Sequence, residues 1–193
     1  PHTPSGRDCC VGLDALTNPF APTFSFESCA WQHRNVGFRD GDGWVFCQRC
    51  NSRHWGVYGA AGLLMVRTDL PEPHVLLQLR AVWTHGGGTW SIPGGALDSH
   101  EDPVEAAVRE AWEEVGVDVN AVEVKDVFLD DHLNWGYYTV IAHVTGDVLV
   151  DEGNYESDAV AWVPIPEVES YPLHAGLANS WPELRPRVTA TLG

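Results

Sequence analysis

The sequence predicts an α/β protein in which a mixed β-sheet is covered on both faces by helices. Three observations carry that prediction. Short apolar runs bounded by turn residues recur at 62–68 (GLLMVRT), 74–80 (HVLLQLR) and 88–95 (GTWSIPGG). One well-capped amphipathic helix follows at 102–116. Further strand-like runs at 121–129, 136–144 and 159–163 then lead into a helical tail.

In chain order, residues 1–28 carry prolines and small polar residues without periodicity, and read as an irregular N-terminal segment. Residues 29–56 hold a cluster of Cys and His with the turn signal DGDG at 40–43. A third segment, 57–193, has the texture of a packed domain. Its first two strands are joined by DLPEP, a turn. In the helix, Asp102 suits the N-cap, Pro103 the first helical position and Glu105 the partner place of a capping box. Val104, Val108, Ala111 and Val115 make one apolar stripe, and Gly116 supplies the stop. The tail HAGLANSWPELRPRVTATL is predicted helical, with interruptions near Pro182 and Pro186 because proline removes a helix hydrogen bond.

Charge narrows the function. Eleven Lys and Arg against 27 Asp and Glu give a formal net charge of −16. Such a surface repels a phosphate backbone, so polymeric nucleic acid is not an expected partner. The longest apolar run, 57–66, is too short to span a bilayer, and no basic segment followed by an apolar one opens the chain. No membrane partner and a cytoplasmic location are therefore expected. A small anionic substrate fits once a divalent cation reverses the local field.

Residues 109–116, REAWEEVG, are where such a cation would bind. On a helix Glu110, Glu113 and Glu114 fall within an arc of about 100°, centred away from the apolar stripe. The helix is thus expected to bury one face and present three carboxylates on another. A solvated helix face would alternate signs, as Glu105 and Arg109 do, rather than stack acids on one turn. A Gly-Gly turn at 94–95 allows close backbone approach to the same point. Carboxylates plus a close loop suit a hard cation such as Mg²⁺.

The full stretch GGALDSHEDPVEAAVREAWEEVGV resembles the Nudix box, G-x5-E-x7-R-E-U-x-E-E-x-G-U, with U a bulky aliphatic residue. Gly95, Glu101, Arg109, Glu110, Glu113, Glu114 and Gly116 occupy its charged and glycine positions, and TWSIPGG resembles the strand that leads into it. Ala111 departs from the pattern by being small, which bears on packing. The direct match covers 95–117, and strand order extends the resemblance across 57–170. What it implies is an α/β/α sandwich that cleaves a diphosphate linked to another moiety. By the same resemblance, Glu110, Glu113 and Glu114 would ligate Mg²⁺ or Mn²⁺ with the Gly94 carbonyl. Glu101 would support the site through water or a further metal, and Arg109 would orient a glutamate. The general base is Glu110 or an acid of a later loop, Glu152, Glu156 or Asp158. A Nudix-fold ligand sensor without hydrolysis is the alternative reading.

Arg80, ending HVLLQLR, is placed where related enzymes put a phosphate-binding arginine. Trp90 is the candidate for stacking on a base, ahead of Trp83, Trp135, Tyr137 and Tyr138; His85 lies in a glycine-rich loop. The stretches that mark NADH- and coenzyme A-cleaving members are absent, which leaves a nucleoside triphosphate or another nucleoside diphosphate derivative. Upstream, Cys29, Cys47, Cys50 and His54 resemble a zinc-ribbon set, with His33 competing for the fourth place. Structural Zn²⁺ and unligated thiols both remain open; Cys9 and Cys10 are unassigned.

Overall fold

The computed structural model describes residues 39–145 and 157–193. The irregular segment 1–28, with Cys9 and Cys10, and also Cys29, His33, Glu152 and Glu156, lies outside the described residues. The strands are β1 (Trp44–Cys47), β2 (Ser52–Trp55), β3 (Ala60–Arg67), β4 (His74–Arg80), β5 (Trp90–Ser91), β6 (Gly94–Ala96), β7 (Val122–Asp131), β8 (Gly136–Val144) and β9 (Ser157–Pro164). The helices are α1 (Pro103–Val115) and α2 (Ala175–Ala190).

β3 is the pivot of the mixed sheet. One edge runs parallel to β8, from Ala60 opposite Tyr137 to Val66 opposite His143. β7 continues the sheet antiparallel to β8. On its other edge β3 meets β4 only at Val66 and Arg67, opposite Val75 and His74. The two strands then part. β6 pairs with the freed start of β3, and β5 with the freed end of β4, while β9 lines the far edge of β4. The opening between β3 and β4 is therefore filled by the SIPGG turn, whose Pro93 carbonyl accepts from Leu63 N at 2.9 Å. That split delivers the glycine pair to the middle of the sheet.

Successive residues of β3 face opposite layers. Leu64 and Val66 join Val75, Leu77, Ile141 and Val163 in a core closed by Leu177, Trp181, Leu184 and Val188 of α2. Leu63 and Met65, also fully buried, turn the other way, toward α1. The result is the sandwich expected. α2 differs from expectation in being continuous through Pro182 and Pro186. Each proline removes one donor to the turn before it. The stripe Leu177, Trp181, Leu184 and Val188 is buried along its whole length and holds the helix together regardless.

α1 forms as its sequence dictates. Asp102 caps Val104 N and Glu105 N, Glu105 completes the capping box, and Gly116 closes the helix at φ 71°. A side chain there would cost about 1–2 kcal/mol. The hairpin β1–β2 stands apart from the main sheet, with Trp44 opposite Trp55 and Cys47 opposite Ser52. Just before it, Asp40 N and Gly41 N donate to Asp98 Oδ1 at 2.9 and 2.8 Å, and Asp40 Oδ1 accepts from Ser99 N. These bonds pin the DGDG stretch to the loop that precedes α1.

Candidate active site

Glu110 and Glu114 lie on the buried side of α1, which corrects the expectation that one face is buried and the three carboxylates stand on another. Glu110 and Glu114 are 8% and 3% exposed, on the same buried side as Ala106, Ala107, Ala111 and Val115. Only the Glu113 side chain retains substantial exposure, at 30%. The helical wheel located the arc correctly but could not show that the glycine turn and the end of β4 cover it.

Each buried acid has a distinct set of partners. Glu114 Oε2 accepts from Gln78 Nε2 at 2.9 Å and from Gly94 N at 2.8 Å. Gln78 is itself completely buried, and its Oε1 accepts from Ser157 Oγ at 3.0 Å. Burial, and then the charge of Glu110, push the Glu114 carboxyl up to about 8 despite those donors. Burial likewise raises Glu110, with Arg109 opposing. Gly95 sits against Glu110 so closely that a Cβ would lie 2.6 Å from its carboxyl carbon. At Gly94 the contact seen is through N–H, where the resemblance calls on its carbonyl.

Arg109 organises the cluster. It is 1% exposed. Its Nε donates to Glu101 Oε1 at 2.5 Å and its Nη2 to Glu101 Oε2 at 2.8 Å, a bidentate pair. Nη1 donates to Glu110 Oε1 at 2.5 Å, and Nη2 also to the Ala96 carbonyl at 3.0 Å. Burial works against the charged guanidinium, but Glu101 and Glu110 outweigh it and raise its pKa above the ordinary value. With both oxygens engaged by Arg109, and Oε2 also accepting from Asp98 N at 3.2 Å, Glu101 braces the site through the arginine. Glu110 Oε2 carries no hydrogen bond among the described residues.

Arg39, unremarked in the sequence, reaches the same acids. Its Nη1 lies 3.2 Å from Glu110 Oε1, and its Nη2 pairs with Glu113. Its guanidinium supplies the positive charge that two clustered carboxylates demand, which is the charge a bound cation would bring.

The other candidates are scattered. Arg80 ends β4 at an irregularity in its pairing with β9, and its Nε donates to the His85 carbonyl at 3.0 Å. Its positive charge favours the ionised forms of Glu114 and Tyr137, against the burial that raises both. Trp90 packs edge-on against Tyr171, 5.2 Å between centroids, and flanks the core. Trp83 is exposed. Trp135 stacks on His54 at 4.1 Å and so belongs to the cysteine cluster. The Tyr137 hydroxyl borders Gly62 and Gly94, and burial raises its pKa. Tyr138 is half-buried. His85 meets Trp44 and His174 ring to ring and lines an open concavity with Trp44, Ser52 and Arg53 that contains none of the acids. Asp158 is exposed, whereas its neighbour Ser157 is the residue bonded to Gln78.

The NUDIX domain family model matches residues 58–184. The chain is a Nudix hydrolase. Its relatives include "Putative 8-oxo-dGTP diphosphatase 3" of Mycobacterium tuberculosis, 47% identical over 154 residues that span 76% of this chain and 70% of the relative. A "Nucleoside triphosphate pyrophosphatase/Nudix hydrolase fusion protein" of Bifidobacterium longum is 40% identical over 77% of this chain and 32% of its own length. Among solved structures, the M. smegmatis Nudix hydrolase RenU is 42% identical, with a TM-score of 0.71 over 79% of this chain and 98% of that one. In this Nudix hydrolase, Gln78 carries a signal in the sequence, as an amide set between leucines in the run HVLLQLR. Ser157 and Arg39 carry no local signal of their purpose.

Proposed function

We propose that the protein is a pyrophosphohydrolase dependent on Mg²⁺ or Mn²⁺, acting on a nucleoside triphosphate and dividing it with one water into nucleoside monophosphate and pyrophosphate. The observation that carries this reading is the buried carboxylate pair Glu110 and Glu114, with Glu113 beside it at the surface. Burying two like charges is costly unless a cation shares the site. The donors are hard oxygens, as Mg²⁺ and Mn²⁺ prefer, so the residues fit the ion. Glu110, Glu113 and Glu114 would hold it, with Gly94 as a further ligand. When bound, the ion supplies Lewis acidity and neutralises charge on the transferring phosphoryl group.

The protein's own groups account for the rest. Arg109 fixes Glu110 through Oε1, which leaves Oε2 to accept the proton of an attacking water. Gln78 and Gly94 hold Glu114 in one orientation. Arg80 is suited to the substrate phosphates, and Trp90 is the aromatic candidate for the base. The relative described as an 8-oxo-dGTP diphosphatase favours purine triphosphates, oxidised ones among them, as the first substrates to try. A net charge of −16 supports a small nucleotide over a polymer, and a nucleotide substrate with reduced thiols fits the cytoplasm.

The test is a panel of nucleoside triphosphates, sugar nucleotides and dinucleoside polyphosphates, with Mg²⁺ or Mn²⁺ and with products identified. Monophosphate and pyrophosphate from a triphosphate are expected, and a protein lacking Glu113 and Glu114 carboxylates should release neither. Product from sugar nucleotides alone would move the substrate class, and no product from any member would leave only ligand sensing.

A further inference from the structure

The hairpin β1–β2 and the turn between β7 and β8 lie about eighty residues apart in sequence, yet they are stitched together. Asn134 Nδ2 donates to the Phe46 carbonyl at 2.9 Å, Asn134 Oδ1 accepts from Gln48 N at 3.4 Å, and Arg49 donates to the Asp131 carbonyl. Both turns contain a non-glycine residue in the left-handed region, Asn51 at φ 57° and Leu133 at φ 72°. Such conformations are uncommon and are held where surrounding structure determines them.

Between the two turns converge Cys47, Cys50, His54 and His132, each offering one ligand atom, all within 4.8 Å of one another. Cys47 Sγ lies 3.5 Å from His132 Nδ1, and Cys50 Sγ lies 3.1 Å from His54 Nε2. Ligands around a tetrahedral zinc stand about 3.3–3.8 Å apart, as follows from bonds of about 2.0–2.3 Å. The two pairs at 3.5 and 3.1 Å are near that spacing, and an ion would draw in the remaining separations, all within 4.8 Å.

The surroundings are those of a metal site as well. His132 turns its other nitrogen, Nε2, toward Asp130 Oδ2 at 3.4 Å, the carboxylate that fixes the tautomer of a ligating imidazole. Ser180 Oγ in turn donates to that same Asp130 oxygen at 3.4 Å. The His54 ring is clamped by Trp135, stacked at an interplanar angle of 10°. Trp135 Nε1 donates to the Trp55 and Gly56 carbonyls, both at 3.1 Å. Cys47 Sγ accepts from Cys50 N at 3.4 Å, the turn that a C-x2-C pair makes around an ion. Cys47 is buried and both cysteines are free thiols.

We infer that Cys47, Cys50, His54 and His132 form a structural S2N2 zinc site that staples the N-terminal hairpin to the β7–β8 turn. Four protein ligands leave no open position for catalysis. The fourth ligand, His132, comes from within the matched domain, in the place the sequence resemblance gave to Cys29 or His33.

The test measures metal content and X-ray absorption on the purified full chain. About one zinc per chain is expected, with the absorption edge fitted by two sulfur and two nitrogen neighbours. Cys50→Ser and His132→Ala should each remove nearly all the zinc, while Cys29→Ser and His33→Ala should keep it. A shell of three sulfurs overturns the inference, as does zinc lost with Cys29 and kept without His132. Protein free of zinc, or one in which Cys47 and Cys50 are found joined as a disulfide, overturns it too. The absorption measurement uses the unaltered chain, so it decides the question even if His132→Ala does not fold.

Discussion

Glu114→Gln should stabilise the metal-free protein while abolishing its chemistry. Glu114 is 3% exposed and its carboxyl is pushed up to about 8 from an ordinary 4.5. At about 1.4 kcal/mol per pKa unit, the ceiling on the penalty is about 5 kcal/mol. Because Glu110 responds to the same charge, about 2–5 kcal/mol is the working range. The sign follows from proton binding. Below the unfolded value both states hold the proton and the acid costs nothing. Between 4.5 and about 8 the unfolded chain releases its proton while the folded one keeps it, so stability falls as pH rises. Above about 8 the full penalty is in place. Glutamine has no such dependence, and its Oε1 can still accept from Gln78 and Gly94. Urea unfolding in chelator should therefore find the two proteins alike near about pH 5 and the variant more stable by about 2–5 kcal/mol near about pH 8.5. Saturating Mg²⁺ should reverse the order, since only the native acid gains from binding. A variant less stable than its parent at the higher pH without metal, or a gap that ignores pH, would refute the reasoning.

Removing Arg109 should act in the opposite direction. Arg109→Ala leaves Glu101 buried without its cation and Glu110 with only the part-exposed Arg39, and urea unfolding should show a loss of about 3–5 kcal/mol. Glu113→Gln, at the exposed end of the cluster, should leave unfolding nearly unchanged and lower kcat by about 10²–10³-fold in a product assay. Gly95→Ala places a methyl 2.6 Å from the Glu110 carboxyl, which Arg109 prevents from moving away. It should cost about 1–3 kcal/mol and weaken Mg²⁺ binding measured by calorimetry.

The helix bearing the glutamates was legible to the residue, since Asp102, Glu105 and Gly116 act locally and their caps are written in adjacent positions. The strands of the main sheet were legible for the same reason, through apolar runs between turn residues, whereas the hairpin β1–β2 was not read as strands. Burial of Glu110 and Glu114 was not, because it depends on how β3 and β4 diverge to admit the SIPGG turn. Nor was the junction of Cys47 and Cys50 with His132, which only the folded hairpin brings together. Proline signals misled at α2, where a buried apolar stripe outweighs two missing hydrogen bonds. Sequence proximity thus foretold what neighbours do to each other, and missed what the sheet does at a distance.

The parallel alignment of Ala60 with Tyr137 has a consequence for how the molecule assembles. Parallel partners need a long crossover, and here that crossover contains β4, β5, β6, α1 and β7. Closing so large a loop carries a high entropic cost before any contact rewards it, which makes such pairings slow to form. Unless β8 docks, β3 has no second edge and the glycine turn no fixed platform. The carboxylate cluster should accordingly be among the last features to appear during refolding, and any metal it takes, added early, should bind no faster than the sheet can close.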